Sequence, residues 1–300
     1  MPFLEILQFA ATVLLWGTVL VSLCMGDPSA GTSLRGAVRW GRAAKFTWLL
    51  SSFATLWISR SSPLGNHLWF WTGVLTLCPF IAALGAQRPG VRIWSYFIVL
   101  PLIAVLGWPA LTAWKRWSVP APVVLQLPAC MGFLLVAIMG CGNYAGTRYM
   151  VPATLTGLSA LLVIAPLTHL WTLTSDWALA MRIMAMIMLS LAIIDAMRQG
   201  LRSSDEDSPF DRIWFDFRDL FGMVWAIRMQ ERINDRAQKE GWCSRLGPLG
   251  FEWNLQNSPE ELQRTRERME QALRWHFRRF VDPEWIDERL GVGPAVSRDR

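Results

Sequence analysis

The sequence predicts an all-α protein in two parts: a polytopic helical membrane domain over residues 1–197, and a mainly helical C-terminal domain beyond it. Three observations carry this prediction. Residues 1–197 hold 11 Lys/Arg and 4 Asp/Glu, whereas residues 198–300 hold 18 and 19. The first part is a row of apolar stretches, the last of them Trp177–Met197 with Arg182 well inside it and Asp195 near its end. The chain also has 18 tryptophans against 3 tyrosines, and many of them fall near the edges of those stretches.

So few charges over 197 residues cannot cover a globular surface, and a multi-pass membrane domain resolves the problem. The isoelectric point near 9.4 arises from arginines between apolar stretches. No basic cluster marks one soluble face, so nucleic acid is not an expected partner. Indole rings favour the headgroup level, and Trp40, Trp48, Trp57, Trp69, Trp108 and Trp177 read as an aromatic belt. The five cysteines make no CxxC and the three histidines are isolated, so no zinc or iron–sulfur spacing exists.

Taken in order, segment one is Phe3–Met25, read as a retained span because no basic n-region precedes it. A connector with Arg35, Arg39, Arg42 and Lys45 follows and belongs in the cytoplasm, which puts the N-terminus outside. Segment two is the doubtful one. Only 14 residues, Phe46–Ser59, separate Lys45 from Arg60, although flanking basic side chains can snorkel. Segments three to six are Leu68–Ala86, Ile93–Trp114 with Pro101 and Pro109, Val123–Met139 and Thr154–Leu173. Segment seven is Trp177–Met197.

With or without segment two as a span, the loops hold seven basic residues on one side and three on the other. Arg198 and Arg202 break the tie, because they count as cytoplasmic only when segment two crosses. The expected topology is therefore seven helices, with six as the alternative, in the cell membrane. The N-terminus is outside and the tail cytoplasmic.

Residues 198–208 read as a linker, 209–291 as the tail domain and 292–300 as a mobile end. Ser208 and Pro209 open an expected helix through Glu240. Ile213, Phe217, Leu220, Val224 and Ile227 recur along it at helical steps, and Trp214, Phe221 and Trp225 widen that face. A face this broad requires the tail's own core, the membrane surface or another protein. The glycine-rich stretch 241–256 is a turn-rich segment or a short hairpin. Ser258-Pro259-Glu260-Glu261 is a capping box that opens a helix to about Phe280, and Asp282-Pro283-Glu284 opens a last one ending at Gly291.

No P-loop, GxSxG or HExxH is present, which points away from an enzyme. Three constellations could house a ligand. Asn143 and Arg148 lie in the glycine-rich run 140–148 at the expected cytoplasmic interface, where they could hold an anion. The structural alternative is a helix exit with small-residue packing. On the outer side, His67 and His169 could ligate a haem as a metal pair, with Arg182 against a propionate or a quinone oxygen. Alternatively, His67 is merely in a loop and His169 in the headgroup region, and no cofactor is predicted. Arg182 itself, a charge in the outer third of the bilayer, has Asp176 as its candidate partner.

The function expected from these features is a non-enzymatic scaffold or complex subunit. Its tail would dock a protein partner through Trp214, Phe217, Phe221 and Trp225, with the lipid bilayer as the other partner. A transporter or channel component is the alternative, as is a redox or lipid-handling enzyme built on His67, His169 and Arg182.

Overall fold

The computed structural model describes residues 2–26, 29–58, 62–86, 92–113, 123–168, 174–201, 208–254, 256 and 258–291. Expectations that fall on His169, on residues 202–207 and on 292–300 lie outside these. Among the described residues the chain is helical apart from one short hairpin, and it divides into two compact units.

The first unit contains α1 (Pro2–Cys24), α2 (Arg35–Trp57), α3 (Pro63–Leu84), α4 (Arg92–Ala113), α5 (Leu127–Asn143), α6 (Met150–Ile164, with a 3-10 turn Ala165–Leu167) and α7 (Ser175–Leu201). Five stretches in it are long and apolar enough to cross a membrane: Phe3–Cys24, Pro63–Leu84, Tyr96–Ala113, Met150–Leu167 and Ser175–Leu201. The outward side chains agree with lipid as their solvent. Phe3, Ile6 and Phe9 on α1, Phe97 and Val105 on α4, and Met131, Leu135 and Ile138 on α5 are all exposed. An apolar surface of this extent has no stable contact with water.

The inward faces make two cores. One joins α3, α4, α5 and α6 around Phe70, Leu77, Phe133 and Ile164. The other joins α1 and α7 to Trp48 of α2, Trp69 of α3 and Val163 of α6. Small residues let the helices approach closely. A Cβ on Gly73 would come within 2.6 Å of Ile164, and one on Gly140 within 2.5 Å of Phe80.

Helix α2 differs most from its expected form. It begins eleven residues before Phe46, because Arg35, Arg39, Arg42 and Lys45 are helical and do not form a connector. Its polar residues are spent on neighbours. The Trp48 indole N–H donates to Thr76 Oγ1 at 2.8 Å, Ser51 and Thr72 share a bond of 2.7 Å, and the Trp69 indole donates to Thr55 at 2.9 Å. Ascending numbers on α2 meet descending numbers on α3, so the two run antiparallel. On its other flank, Trp16 donates to Ser52 at 3.2 Å and Lys45 to Ser22 at 2.8 Å, so α2 is antiparallel to α1 as well. Trp48 and Trp69 are thus interior residues, each 1% exposed, and not members of a belt. Trp57, Trp108 and Trp177, at 62–77% exposed, keep the belt reading.

Helices α1 and α7 run parallel. Thr12 points its hydroxyl at the Met186 sulfur, and further along Gly17 and Val21 line one groove with Ile194 and Met197.

The second unit comprises 202–300 together with Ser29–Arg35 and Ala86–Val91. Its elements are α8 (Pro209–Phe221), α9 (Met223–Glu240), the antiparallel hairpin β1 (Ser244–Gly247) and β2 (Gly250–Trp253), α10 (Pro259–Phe277) and α11 (Pro283–Leu290). The single expected helix over 209–240 is broken at Gly222, whose φ of 80° is a conformation that side-chain-bearing residues avoid. The break rotates α9, so its buried face is Trp225, Met229 and Ile233, while Val224 and Ile227 turn outward.

The tail core is aromatic. Phe217 stacks on Phe277 (centroids 4.5 Å) and Phe221 (4.7 Å), and Phe280 stands edge-on to Phe217, Phe221 and Trp225. The buried Asp216 carboxylate meets Arg289 at 2.7 Å. Asp211 accepts the Phe251 N–H at 2.6 Å and so ties the hairpin to α8. Asn234 takes the Leu246 N–H at 2.8 Å and returns a bond to its carbonyl at 2.9 Å, standing in for a neighbouring strand. The Ser258–Glu261 capping box forms in both directions. The connector after α1 pairs with the tail: Thr32 bridges Val281, Ser33 donates to Phe280 O and Asp282 to Gly31 O, each at 2.7 Å.

Phe217→Ala removes the ring at the centre of this stack and should destabilise the tail by about 3–5 kcal/mol. Asn234→Ala leaves the Leu246 N–H unpaired and should cost about 1–3 kcal/mol. Hydrogen exchange should place the first loss over α8 and α10 and the second over the hairpin.

Candidate functional site

Arg182 lies seven residues into α7, roughly 10 Å from its start at 1.5 Å per residue. It is 4% exposed, so it does not snorkel to water. Its guanidinium Nη2 donates to the Asn66 side-chain carbonyl of α3 at 2.8 Å, and its centre stands 5.7 Å from the Trp69 ring. The Nε–H is buried and has no hydrogen-bond partner among the described residues. Asp176, the expected partner, is a turn and a half earlier on α7; among the described residues an amide and an indole face meet the Arg182 guanidinium.

The neighbouring element adds a second donor. Gln8 lies one turn before Thr12 on α1, and Arg182 one turn before Met186 on α7. Since Thr12 and Met186 touch and the helices are parallel, Gln8 and Arg182 share one level. Gln8 is 4% exposed, and its Nε2 has no partner among the described residues. His67 joins the same turn of α3. It is 3% exposed inside the helix, not in a loop as the simpler reading of the sequence had it.

The structure thus gathers Arg182, Asn66, His67, Trp69 and Gln8 from three helices. Of these, the sequence pointed to Arg182 and His67. Asn66 and Gln8 carry no motif; the only signal for them was an amide inside an otherwise apolar stretch.

The second set lies elsewhere. Asn143 ends α5, buried at 2%, and Arg148 lies over the Tyr149 ring at 5.3 Å. Tyr149 lies beside Gly200 at the far end of α7. Arg182 and Gly200 are 18 residues apart, about 27 Å along a helix, so the ligand set expected from sequence divides between the two ends of the bundle. The glycines there have packing tasks: Gly140 abuts Phe80 and Gly157 abuts the Cys141 sulfur. Thr147 satisfies the turn by donating to Tyr144 O at 2.7 Å and accepting from Tyr149 N.

Trp214, Phe217, Phe221 and Trp225 are buried, at 1, 0, 0 and 8% exposed. The tail's own core covers the face expected to dock a partner. Among the described residues no group of three or more His, Cys, Asp or Glu could hold a metal ion. No known family, curated protein or solved structure matches the chain.

Electrostatically, Arg182 is a full charge in apolar surroundings with neutral partners. A charge at such depth costs a few kcal/mol when no anion offsets it. Arg182→Met removes that cost together with one hydrogen bond, and should raise the melting temperature of the detergent-solubilised protein by about 2–4 °C for each kcal/mol gained. Asn66→Leu with Arg182 intact should lower it, and the double variant should recover the Arg182→Met value. A fall in melting temperature for Arg182→Met would mark the arginine as structural.

Proposed function

We propose that this chain is a non-enzymatic, seven-span membrane protein that holds a small carboxylate-bearing ligand at Arg182, as a binding or transport component. The observation that carries the reading is a buried guanidinium with an N–H that has no partner among the described residues, a neutral acceptor and a second such donor, Gln8 Nε2, on the same level. A carboxylate supplies what is missing there, because its negative charge offsets the arginine and its two oxygens accept from both donors. Trp69 and the apolar side chains of α1 and α7 would exclude water, which strengthens the attraction. This reading displaces the docking scaffold because the rings meant to dock are spent on the tail core.

Seven spans are supported by direction. Helix α2 is antiparallel to both α1 and α3, and α1 is parallel to α7, directions that agree with an odd number of crossings from α1 through α7. The connector Ser29–Arg35 belongs to the same unit as the tail, so it and the chain after α7 share one side. Arg39, Arg42 and Lys45 beside that connector favour the cytoplasm for that side, with the N-terminus outside.

Thermal unfolding of the purified protein with acetate, benzoate or palmitate tests the site. A carboxylate should raise the melting temperature of the wild type and leave Arg182→Gln unmoved; equal shifts, or none in either, would refute the assignment. For the topology, single cysteines at Ala30 and Gln238 in a cysteine-free background should show the same protection from an impermeant maleimide in intact cells. Opposite labelling of the two would rule out seven spans.

A further inference from the structure

Outside the core that α1 and α7 share, the two helices leave an open groove of about 410 Å³. Val13, Leu14, Gly17 and Val21 form its α1 wall, and Ile194 and Met197 its α7 wall. Val13, Leu14 and Val21 are exposed along it. Its one polar side chain is Thr18, whose hydroxyl turns back to the Leu15 carbonyl at 3.0 Å. Gly17 keeps the floor low, because a Cβ there would meet nothing within 4 Å. The volume lies in the range of ligand-holding sites, and walls that offer no hydrogen bond take hydrocarbon.

One end of the groove is basic. Thr12 touches Met186 and the helices are parallel, so Ser22, ten residues beyond Thr12, and Met197, eleven beyond Met186, stand at one level. Ser22 is one turn past Thr18, and its hydroxyl accepts from the Lys45 ammonium of α2 at 2.8 Å. Arg198 follows Met197 and shares a side of α7 with Ile194, four residues earlier. The groove therefore runs out between two cations, one held by a direct contact and the other set by the helix repeat. Neither makes an ion pair among the described residues. The half-buried Lys45 meets a neutral hydroxyl, and Arg198 is exposed. Asp195, the nearest acid along α7, accepts from Gln199 at 3.4 Å.

We propose that this groove seats one acyl chain of an anionic phospholipid, with the lipid phosphate between Lys45 and Arg198. Hydrocarbon covers the apolar walls, and the phosphate accepts from the ammonium and the guanidinium. A zwitterionic headgroup brings an ammonium of its own to the same two cations and gains less. A second copy of the chain fits the charges worse. Copies in a membrane share one orientation, so a symmetric contact here sets each Lys45 and Arg198 near its counterpart, and like charges repel. The inference rests on the membrane reading of the first unit and is independent of Arg182, which lies roughly 24 Å back along α7 at 1.5 Å per residue.

The test uses the full-length protein in phosphatidylcholine nanodiscs doped with phosphatidylglycerol that carries a photoreactive diazirine on one acyl chain. After illumination, peptide mass spectrometry should place the adducts on residues 13–21 and 194–197. Unlabelled phosphatidylglycerol should compete about tenfold or more better than phosphatidylcholine of the same chains. Gly17→Phe, whose ring grows into the open groove, should lower the adduct yield there about tenfold. Lys45→Gln/Arg198→Gln should abolish the preference for phosphatidylglycerol. Val105→Phe on the outward face of α4 and Arg245→Gln/Arg266→Gln in the tail should change neither result. Adducts spread evenly over the outward helix faces, equal competition by the two lipids, a yield unmoved by Gly17→Phe, or a preference that survives Lys45→Gln/Arg198→Gln would overturn the proposal. So would disulfide-linked dimers of Gly17→Cys in a background without other cysteines, which would give the groove to a second copy. Melting temperatures in detergent verify that each variant is folded, and Gly17→Leu and the single Arg198→Gln replace any variant that melts lower.

Discussion

Hydrocarbon offers no partner to a hydrogen-bonding group, and the first unit is arranged around that constraint. Hydroxyls within the helices turn back to carbonyls one turn earlier, as Thr76 does to Thr72 and Ser190 to Met186. Helix α2, too polar for lipid on one side, lies between α1 and α3, where Trp48, Ser51, Ser52 and Thr55 find partners. The same rule makes Arg182 conspicuous. Its charge is met by an amide and a ring face, one N–H is left over, and a neighbouring amide is left over with it. Among the described residues, the buried hydroxyls and indoles between α2 and α3 are answered inside the bundle, while Arg182 and Gln8 each keep a donor that is not.

The tail solves a different problem. It is small, and it gains its stability by stacking large rings against one another, Phe217 between Phe221 and Phe277 with Phe280 across their edges. That use of the aromatics withdraws them from any partner and leaves a surface whose chemistry is mostly that of arginine. In the membrane one guanidinium is costly because water is absent. In the tail the exposed guanidiniums are individually cheap because water is present.

Local features of the fold were legible without the structure. The apolar runs around α1, α3, α4, α6 and α7 are long enough to be seen by composition alone, and the Ser258–Glu261 box and the Asp282–Pro283 start are set by residues within one turn of each other. Arg182 was visible as well, since a charge inside Trp177–Met197 stands out against its neighbours. Its surroundings were not. Asn66 lies 116 residues away and Gln8 is unremarkable in a span, so no spacing rule connects them. The start of α2 was missed because Arg35–Lys45 reads as a loop to any criterion based on hydropathy, and the break at Gly222 because one glycine inside a strongly periodic stretch is usually tolerated.

The sequence by itself determined the division into a charge-poor helical part and a charge-rich tail, the location of most helices, and the chemistry of their ends. These depend on composition and on contacts within a few residues. Only the tertiary structure decided which of two directions each helix takes beside its neighbours, whether the tail's rings face inward or outward, and which polar groups meet Arg182. Those outcomes rest on pairings between residues distant in the chain, and their energies belong to the packed arrangement and not to any single segment.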